Sequence, residues 1–228
     1  MRISADLGKV SRSGQSLRYG PRRILVNACA ALFLLYAFAV LAVAPPKIVV
    51  LGDSLTAGYG LAPDQSFPAQ LEDALRDQII AVQIVNAGVS GDTTAGGLAR
   101  LDWVLKDQPD AVIVELGAND GLRGLDPDET YANLKAIVTR LRENGIPVLI
   151  AGMLAPPNLG KEYGEEFNAI YPRLAAEYDV LLYPFFLEGV AGNPELVQSD
   201  GLHPTAEGIA VIVQRIEPYV KSLIGVYP

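Results

Sequence analysis

The sequence predicts an α/β fold, a three-layer sandwich with a parallel sheet, on three observations. Short apolar runs alternate with segments of helical periodicity over about 170 residues. The first run, Ile48 to Leu51, is apolar without interruption, the pattern of a strand buried on both faces. No internal repeat, low-complexity tract or interdomain linker divides the stretch.

Gly52 breaks the first strand, and Asp53 and Ser54 follow at its carboxyl end, where open α/β sheets place their ligands. A loop bearing Gly58, Gly60 and Pro63 leads to a helix from about Ser66, its cap, with Phe67, Leu71 and Leu75 at helical spacing. Val82 to Val85 forms the second strand and ends at Asn86. After the loop Ala87 to Thr94, Leu98, Leu101 and Leu105 mark one face of a single helix that Pro109 closes. Ala111 to Leu116 is the third strand, and Gly117 to Gly121 its terminal loop.

Asp126, Pro127 and Glu129 then give a helix start with cap, first-turn proline and capping-box acid. Tyr131, Leu134, Ile137 or Val138, and Leu141 form its apolar face, and Gly145 ends it. Pro147 to Ala151 is the fourth strand. The loop Gly152 to Gly160 precedes a helix with Phe167, Ile170, Leu174 and Tyr178 on one side. Val180 to Leu182 is the fifth strand. Tyr183 to Gly201 reads as irregular, and a last helix spans about Pro204 to Val220.

Residues 1–46 are of another character and are read apart from the domain at 47–228. Six of the chain's 18 basic residues fall there with one of its 26 acids, followed by 21 uncharged residues from Ile24 to Ala44. A basic flank before such a run is an export signal or an amino-terminal membrane anchor. Ala37-Phe38-Ala39 and Ala42-Val43-Ala44 are small-x-small cleavage sites, although Pro45 disfavours the second. Uncut, residues 24–44 are long enough to span a bilayer. Cys29, the one cysteine, lies inside this run as apolar filling, so residues 47–228 hold no disulfide and no cysteine nucleophile.

That leaves residues 47–228 with 12 basic and 25 acidic residues, a net of −13. Such a field opposes nucleic acid and anionic lipid surfaces as partners.

The chemistry gathers near strand ends. A serine hydroxyl needs a neighbouring base, and histidine is the side chain whose ordinary pKa lies near neutrality. The chain has one, His203, in S-D-G-L-H-P, with Asp200 three residues before it. A turn of that length can fold the carboxylate onto Nδ1, fixing the tautomer and stabilising imidazolium. Acyl transfer also needs donors for the developing oxyanion. Gly91 in V-S-G-D-T can bring its N–H close, Asn119 in G-A-N-D-G can offer its side-chain amide, and the N–H of Ser54 is a third donor. Taken singly, these glycine, aspartate and asparagine positions are ordinary turn chemistry; their weight comes from falling on one rim with Ser54. Asp53 reads as a cap of nearby N–H groups, outside the catalytic set.

G-D-S-L (Gly52 to Leu55), G-D-T (Gly91 to Thr93), G-A-N-D (Gly117 to Asp120) and D-G-L-H-P (Asp200 to Pro204) resemble the four blocks of the SGNH or GDSL hydrolases. Val114 to Gly124, Phe167 to Ala175 and Leu181 to Glu188 further resemble the bacterial thioesterase I, lysophospholipase and arylesterase group, so the likeness covers roughly residues 47–220. The resemblance implies a flavodoxin-like sandwich with a five-stranded parallel sheet. It implies Ser54 as nucleophile, His203 as base, Asp200 as its partner, and Ser54, Gly91 and Asn119 as the oxyanion site. It further implies hydrolysis of small-molecule acyl thioesters, aryl and short-chain esters and lysophospholipids, with no metal or organic cofactor. The chain departs from the group mainly in Gly152 to Gly160, the loop that shapes acyl access, and Gly88 stands where some relatives carry serine.

The expectation is thus a monomeric serine esterase, exported to the periplasm or held in the inner membrane by residues 24–44. The rivals are a carbohydrate acetylesterase with the same triad, an inactive SGNH binding module, and a nucleotide-binding domain. The last lacks a GxGxxG turn and a P-loop lysine.

Overall fold

The computed structural model describes residues 44–225. Residues 1–43, which hold Cys29 and all but the last residue of the apolar run read as a signal or anchor, lie outside them. Among the described residues no helix is long and apolar enough to cross a membrane.

Five parallel strands form one sheet in the order β2-β1-β3-β4-β5: β1 Lys47–Gly52, β2 Gln83–Gly88, β3 Ala111–Glu115, β4 Val148–Ala151 and β5 Leu181–Tyr183. The three central strands are apolar on both faces, and Ile48 to Leu51, Ala111 to Val114 and Val148 to Ala151 are all buried. No pattern of alternation is needed where helices cover both sides. The edge strand β2 is only partly buried. It runs two residues beyond the predicted Asn86, because Leu51 and Gly52 continue to pair with Ala87 and Gly88.

Among the described residues eight α-helices, α1 Ser54–Ala57, α2 Phe67–Asp77, α3 Thr94–Ala99, α4 Leu101–Lys106, α5 Ala118–Leu122, α6 Pro127–Glu143, α7 Lys161–Tyr178 and α8 Ala206–Leu223, connect or follow the strands. The path from β1 to β2 steps one way across the sheet, and the later paths step the other way. Right-handed crossovers therefore place α2 on one face and α3, α6 and α7 on the opposite one. The packing agrees: α2 lies against α8, whereas α6 lies between α3 and α7. In α6, Leu134, Ile137, Val138 and Leu141 are all buried, so both residues of the Ile137/Val138 alternative face the core.

Four local expectations are corrected. The single helix expected through Leu98, Leu101 and Leu105 is two, broken at Arg100 with φ −104° and ψ 8°. The Arg100 guanidinium binds the Asp92 carboxylate at 2.7 Å and the carbonyls of Ala87 and Gly52 at 2.7 and 2.8 Å. Three acceptors off the helix axis outweigh the continuity of two short helices. Gly117 to Gly121 is not a loop throughout, since α5 begins at Ala118 after Gly117 takes φ +116°. At α2, the Ser66 hydroxyl does not cap the helix; it donates to the Pro63 carbonyl. The last helix starts at Ala206, two residues later than expected, because the Thr205 hydroxyl caps Gly208 N–H.

Candidate active site

The sheet reverses its direction of winding between β1 and β3. In such sheets a crevice opens at the carboxyl ends of the strands that flank the reversal. Ser54 leaves β1 and Asn119 leaves β3 at that crevice, and both line a cavity of about 550 Å³. His203 lines it too, as do Met153, Leu154, Phe185 and Leu187, so most of its wall is apolar.

Ser54 opens the one-turn helix α1. Asp53 precedes it as N-cap, its Oδ1 accepting from Leu55 N–H at 3.0 Å. A first-turn N–H has no acceptor within its own helix, which leaves the Ser54 amide available beside its hydroxyl. Gly88 lies so close to this turn that a Cβ there would fall 2.3 Å from Ala57 N. Gly88 is thus a close approach of backbone to backbone.

His203 reaches the crevice from the turn before α8. Its Nε2 lies 2.9 Å from Ser54 Oγ, across 149 residues of sequence, and its Nδ1 lies 2.6 Å from Asp200 Oδ2. The other Asp200 oxygen accepts from the N–H groups of Leu202 and His203 at 2.9 and 3.0 Å. The Asp200 pKa falls to about 2, chiefly through the N–H of His203, then that of Leu202, then the imidazole. An ionised carboxylate only accepts. Nδ1 therefore carries the imidazole proton, Nε2 presents a lone pair, and the Ser54 hydroxyl donates to it.

Asn119 donates one amide hydrogen to Asp53 Oδ2 at 3.1 Å. The amide has two, so one remains for a ligand in the cavity. Gly91, with φ +81°, is not part of the cavity wall. Its loop is tied to the Asn119 turn by Arg123, whose guanidinium donates to the Gly91 carbonyl at 2.7 Å. Asp120 anchors the same two loops from below, accepting from Thr94 N–H and hydroxyl.

Below Ser54 lies a feature that sequence reasoning missed. Glu115, fully buried at the end of β3, accepts from the Thr56 hydroxyl at 2.8 Å and from Asp53 N–H at 3.4 Å, while its Oε1 has no partner. Burial, with the Asp53 charge second, holds its carboxyl well above the usual range. The signal was a lone acid in the apolar run Ala111 to Leu116. Asp53 is equally buried, and burial raises its pKa to about 6 against the hydrogen bonds from Leu55 and Asn119.

A carboxyl with a raised folded pKa binds more protons folded than unfolded. Its stabilisation is complete below the unfolded value, near 3.8 for Asp53, and is lost as pH rises through about 6. Between pH 4 and 7 the wild type should thus lose on the order of 2 kcal/mol that Asp53→Asn does not lose. Urea unfolding of both proteins across that range reads the difference, whatever the variant's baseline. Parallel curves would show that Asp53 ionises as it does in solution.

The GDSL-like Lipase/Acylhydrolase family model matches residues 50–211. An arylesterase of Vibrio mimicus is 44% identical over 195 residues, covering 85% of this chain and 98% of its own. A protein of Escherichia coli (strain K12) named thioesterase 1/protease 1/lysophospholipase L1 is 40% identical over 185 residues, covering 81% of this chain and 88% of its own. Among solved structures, AlinE4, an SGNH-hydrolase family esterase, is similar with TM-score 0.67 and 52% identity, over 78% of this chain and 96% of that one.

Proposed function

Because the chain belongs to the GDSL-like lipase/acylhydrolase family, we propose that it is a serine esterase cleaving carboxylic esters and acyl thioesters through an acyl-serine intermediate. The observation that carries this reading is the 2.9 Å contact between Ser54 Oγ and His203 Nε2, made by an imidazole whose far nitrogen is held by Asp200.

In the first step Oγ attacks the acyl carbonyl carbon while Nε2 takes the hydroxyl proton. The imidazolium stays paired with Asp200, and the carbonyl electrons move onto an oxyanion. Nε2–H then protonates the departing alcohol or thiol as the tetrahedral carbon collapses. Water, losing its proton to the same nitrogen, attacks the acyl-serine, and His203 returns the proton to Oγ. The Ser54 N–H, the free amide hydrogen of Asn119 and the Gly91 N–H serve as oxyanion donors in this proposal.

The cavity argues for the substrate class. A mostly apolar wall of Met153, Leu154, Phe185 and Leu187 suits an aliphatic or aryl acyl group. The same apolar wall disfavours a carbohydrate acetylesterase. Arylesterase, thioesterase and lysophospholipase are names its relatives carry, and this chain is placed among such activities here. Rates on p-nitrophenyl octanoate, palmitoyl-CoA, a lysophospholipid and acetylated xylan test the choice; preference for the xylan would overturn it.

Asn119→Ala should lower kcat by about 10²–10³-fold with a smaller change in KM, because an oxyanion donor acts on charge that develops in the transition state. Steady-state kinetics on p-nitrophenyl butyrate check this. A raised KM at unchanged kcat would make Asn119 a ground-state binding group instead.

The basic and apolar character of residues 1–46 supports export to the periplasm, with residues 24–44 removed or kept as an anchor in the inner membrane. We place the hydrolase domain at 47–228 and the working form as a monomer. Sequencing the amino terminus of the exported protein and light scattering test these points.

A further inference from the structure

His203 stands on a turn whose tip faces solvent and whose base is tied by the Val197–Pro204 bridge and by the Thr205 N–H to the Leu196 carbonyl at 2.9 Å. Asp200, Gly201 and Leu202 are exposed, and a Cβ on Gly201 would meet nothing within 4 Å. Yet acylation in the proposed reading depends on the distance between an imidazole on this turn and a hydroxyl at the far end of the sequence.

One side chain joins the two segments away from the reacting atoms. The backbone N–H of Gln198 donates to the His203 carbonyl at 2.7 Å. Its side-chain Nε2 donates to the Pro204 carbonyl at 2.9 Å and, across 139 residues, to the Tyr59 carbonyl at 2.7 Å. Tyr59 in turn donates its own N–H to the Ser54 carbonyl at 3.1 Å. A continuous chain of hydrogen bonds thus runs from the nucleophile's backbone through Tyr59 and Gln198 to that of the histidine. The Tyr59 ring closes the same gap from outside, its centroid 4.5 Å from that of the imidazole. Gly60 leaves room for the amide: a Cβ there would fall 2.2 Å from Gln198 Oε1.

We propose that Gln198 is a positioning residue whose carboxamide straps the His203 turn to the Tyr59 carbonyl and so sets the separation of Nε2 and Oγ. The proposal rests on the reading of Ser54 as nucleophile and His203 as base. Both hydrogens of the carboxamide face carbonyl oxygens, so the position requires a donor. A carboxylate of the same shape would set two repulsions in place of two attractions. Gln198 does not line the cavity, so its loss acts on chemistry and not on substrate binding.

The test uses Gln198→Glu, which keeps the shape, and Gln198→Met, which keeps the length without donors. Gly60→Ala is the third variant: its Cβ crowds the Gln198 amide, and because Gly60 holds φ +75° it also strains the loop that carries the Tyr59 carbonyl, so it loosens the strap from the other side. For each, kcat and KM on p-nitrophenyl butyrate are measured with the second-order rate of fluorophosphonate labelling, at a temperature where circular dichroism shows the variant folded. The expected result is a loss of about 10- to 100-fold in kcat and labelling together, with KM within about twofold of wild type. Labelling of both Gln198 variants at the wild-type rate overturns the strap, and so does a raised KM with unchanged kcat. Where the substitutions at 198 prevent folding, Gly60→Ala decides by the same criteria. Should the wild type itself escape labelling at Ser54, the nucleophile reading fails, an outcome separate from failure of the strap.

Discussion

Ser54→Ala should lower kcat by about 10⁶-fold, the scale on which a serine hydrolase loses its nucleophile. The substitution removes one oxygen and little else. The backbone N–H of residue 54 remains, the Asp53 cap of α1 does not involve the hydroxyl, and the apolar cavity wall is untouched. KM should consequently stay near the wild-type value. Some catalysis should survive, since oxyanion donors and substrate binding alone give about 10³–10⁴ over water. Single-turnover measurement with enzyme in excess over p-nitrophenyl butyrate reads the loss, and intact mass after fluorophosphonate treatment reads the missing adduct. A variant that still forms the adduct, or that keeps a tenth of wild-type turnover, would place the nucleophile elsewhere.

How much of this was legible beforehand depends on whether the cause lies in neighbouring residues or in distant ones. The central strands were legible because burial on both faces demands an unbroken apolar run, and Ile48 to Leu51 and Ala111 to Val114 satisfy it in the sequence alone. Helix α6 was legible for the same kind of reason. Asp126, Pro127 and the spacing from Leu134 to Leu141 are all within the segment they shape. The break at Arg100 was not, because its cause is a guanidinium reaching Gly52, 48 residues away. Nothing inside Thr94 to Lys106 announces that contact.

The candidate site divides along the same line. Ser54, His203 and Asp200 could be singled out because the chemistry admits few residue types and the chain offers one histidine. Asp53 and Glu115 are carboxyls whose meaning depends on burial, which a sequence does not state. Asp53 does cap Leu55 N–H as read, but it also holds the Asn119 amide from the carboxyl end of the neighbouring strand β3. Gln198 gave no signal: a polar residue in an irregular segment becomes informative only when its amide is seen between two carbonyls.

Asp200→Asn is the sharpest test of the base, because it changes a proton and not a shape. The expected loss is about 10⁴-fold in kcat, and the reason can be followed atom by atom. Oδ1 of Asp200 accepts from two backbone N–H groups, Leu202 and His203, while Oδ2 faces Nδ1. In the variant the single amide oxygen is drawn to the two backbone donors, leaving the NH₂ toward the imidazole. Nδ1 must then accept, the proton moves to Nε2, and Nε2–H points at the Ser54 hydroxyl that it should deprotonate. The turn keeps its form, so KM and the melting temperature should change little. The wild-type carboxylate, with its pKa drawn down to about 2, is ionised throughout the range in which activity is assayed. Its titration should therefore leave no mark on the pH–rate profile above pH 4, and the variant's deficit should not be recovered by raising the pH. Turnover within tenfold of wild type would mean that Asp200 shapes the turn without setting the tautomer, and His203 would then owe its orientation to the Gln198 and Tyr59 contacts alone.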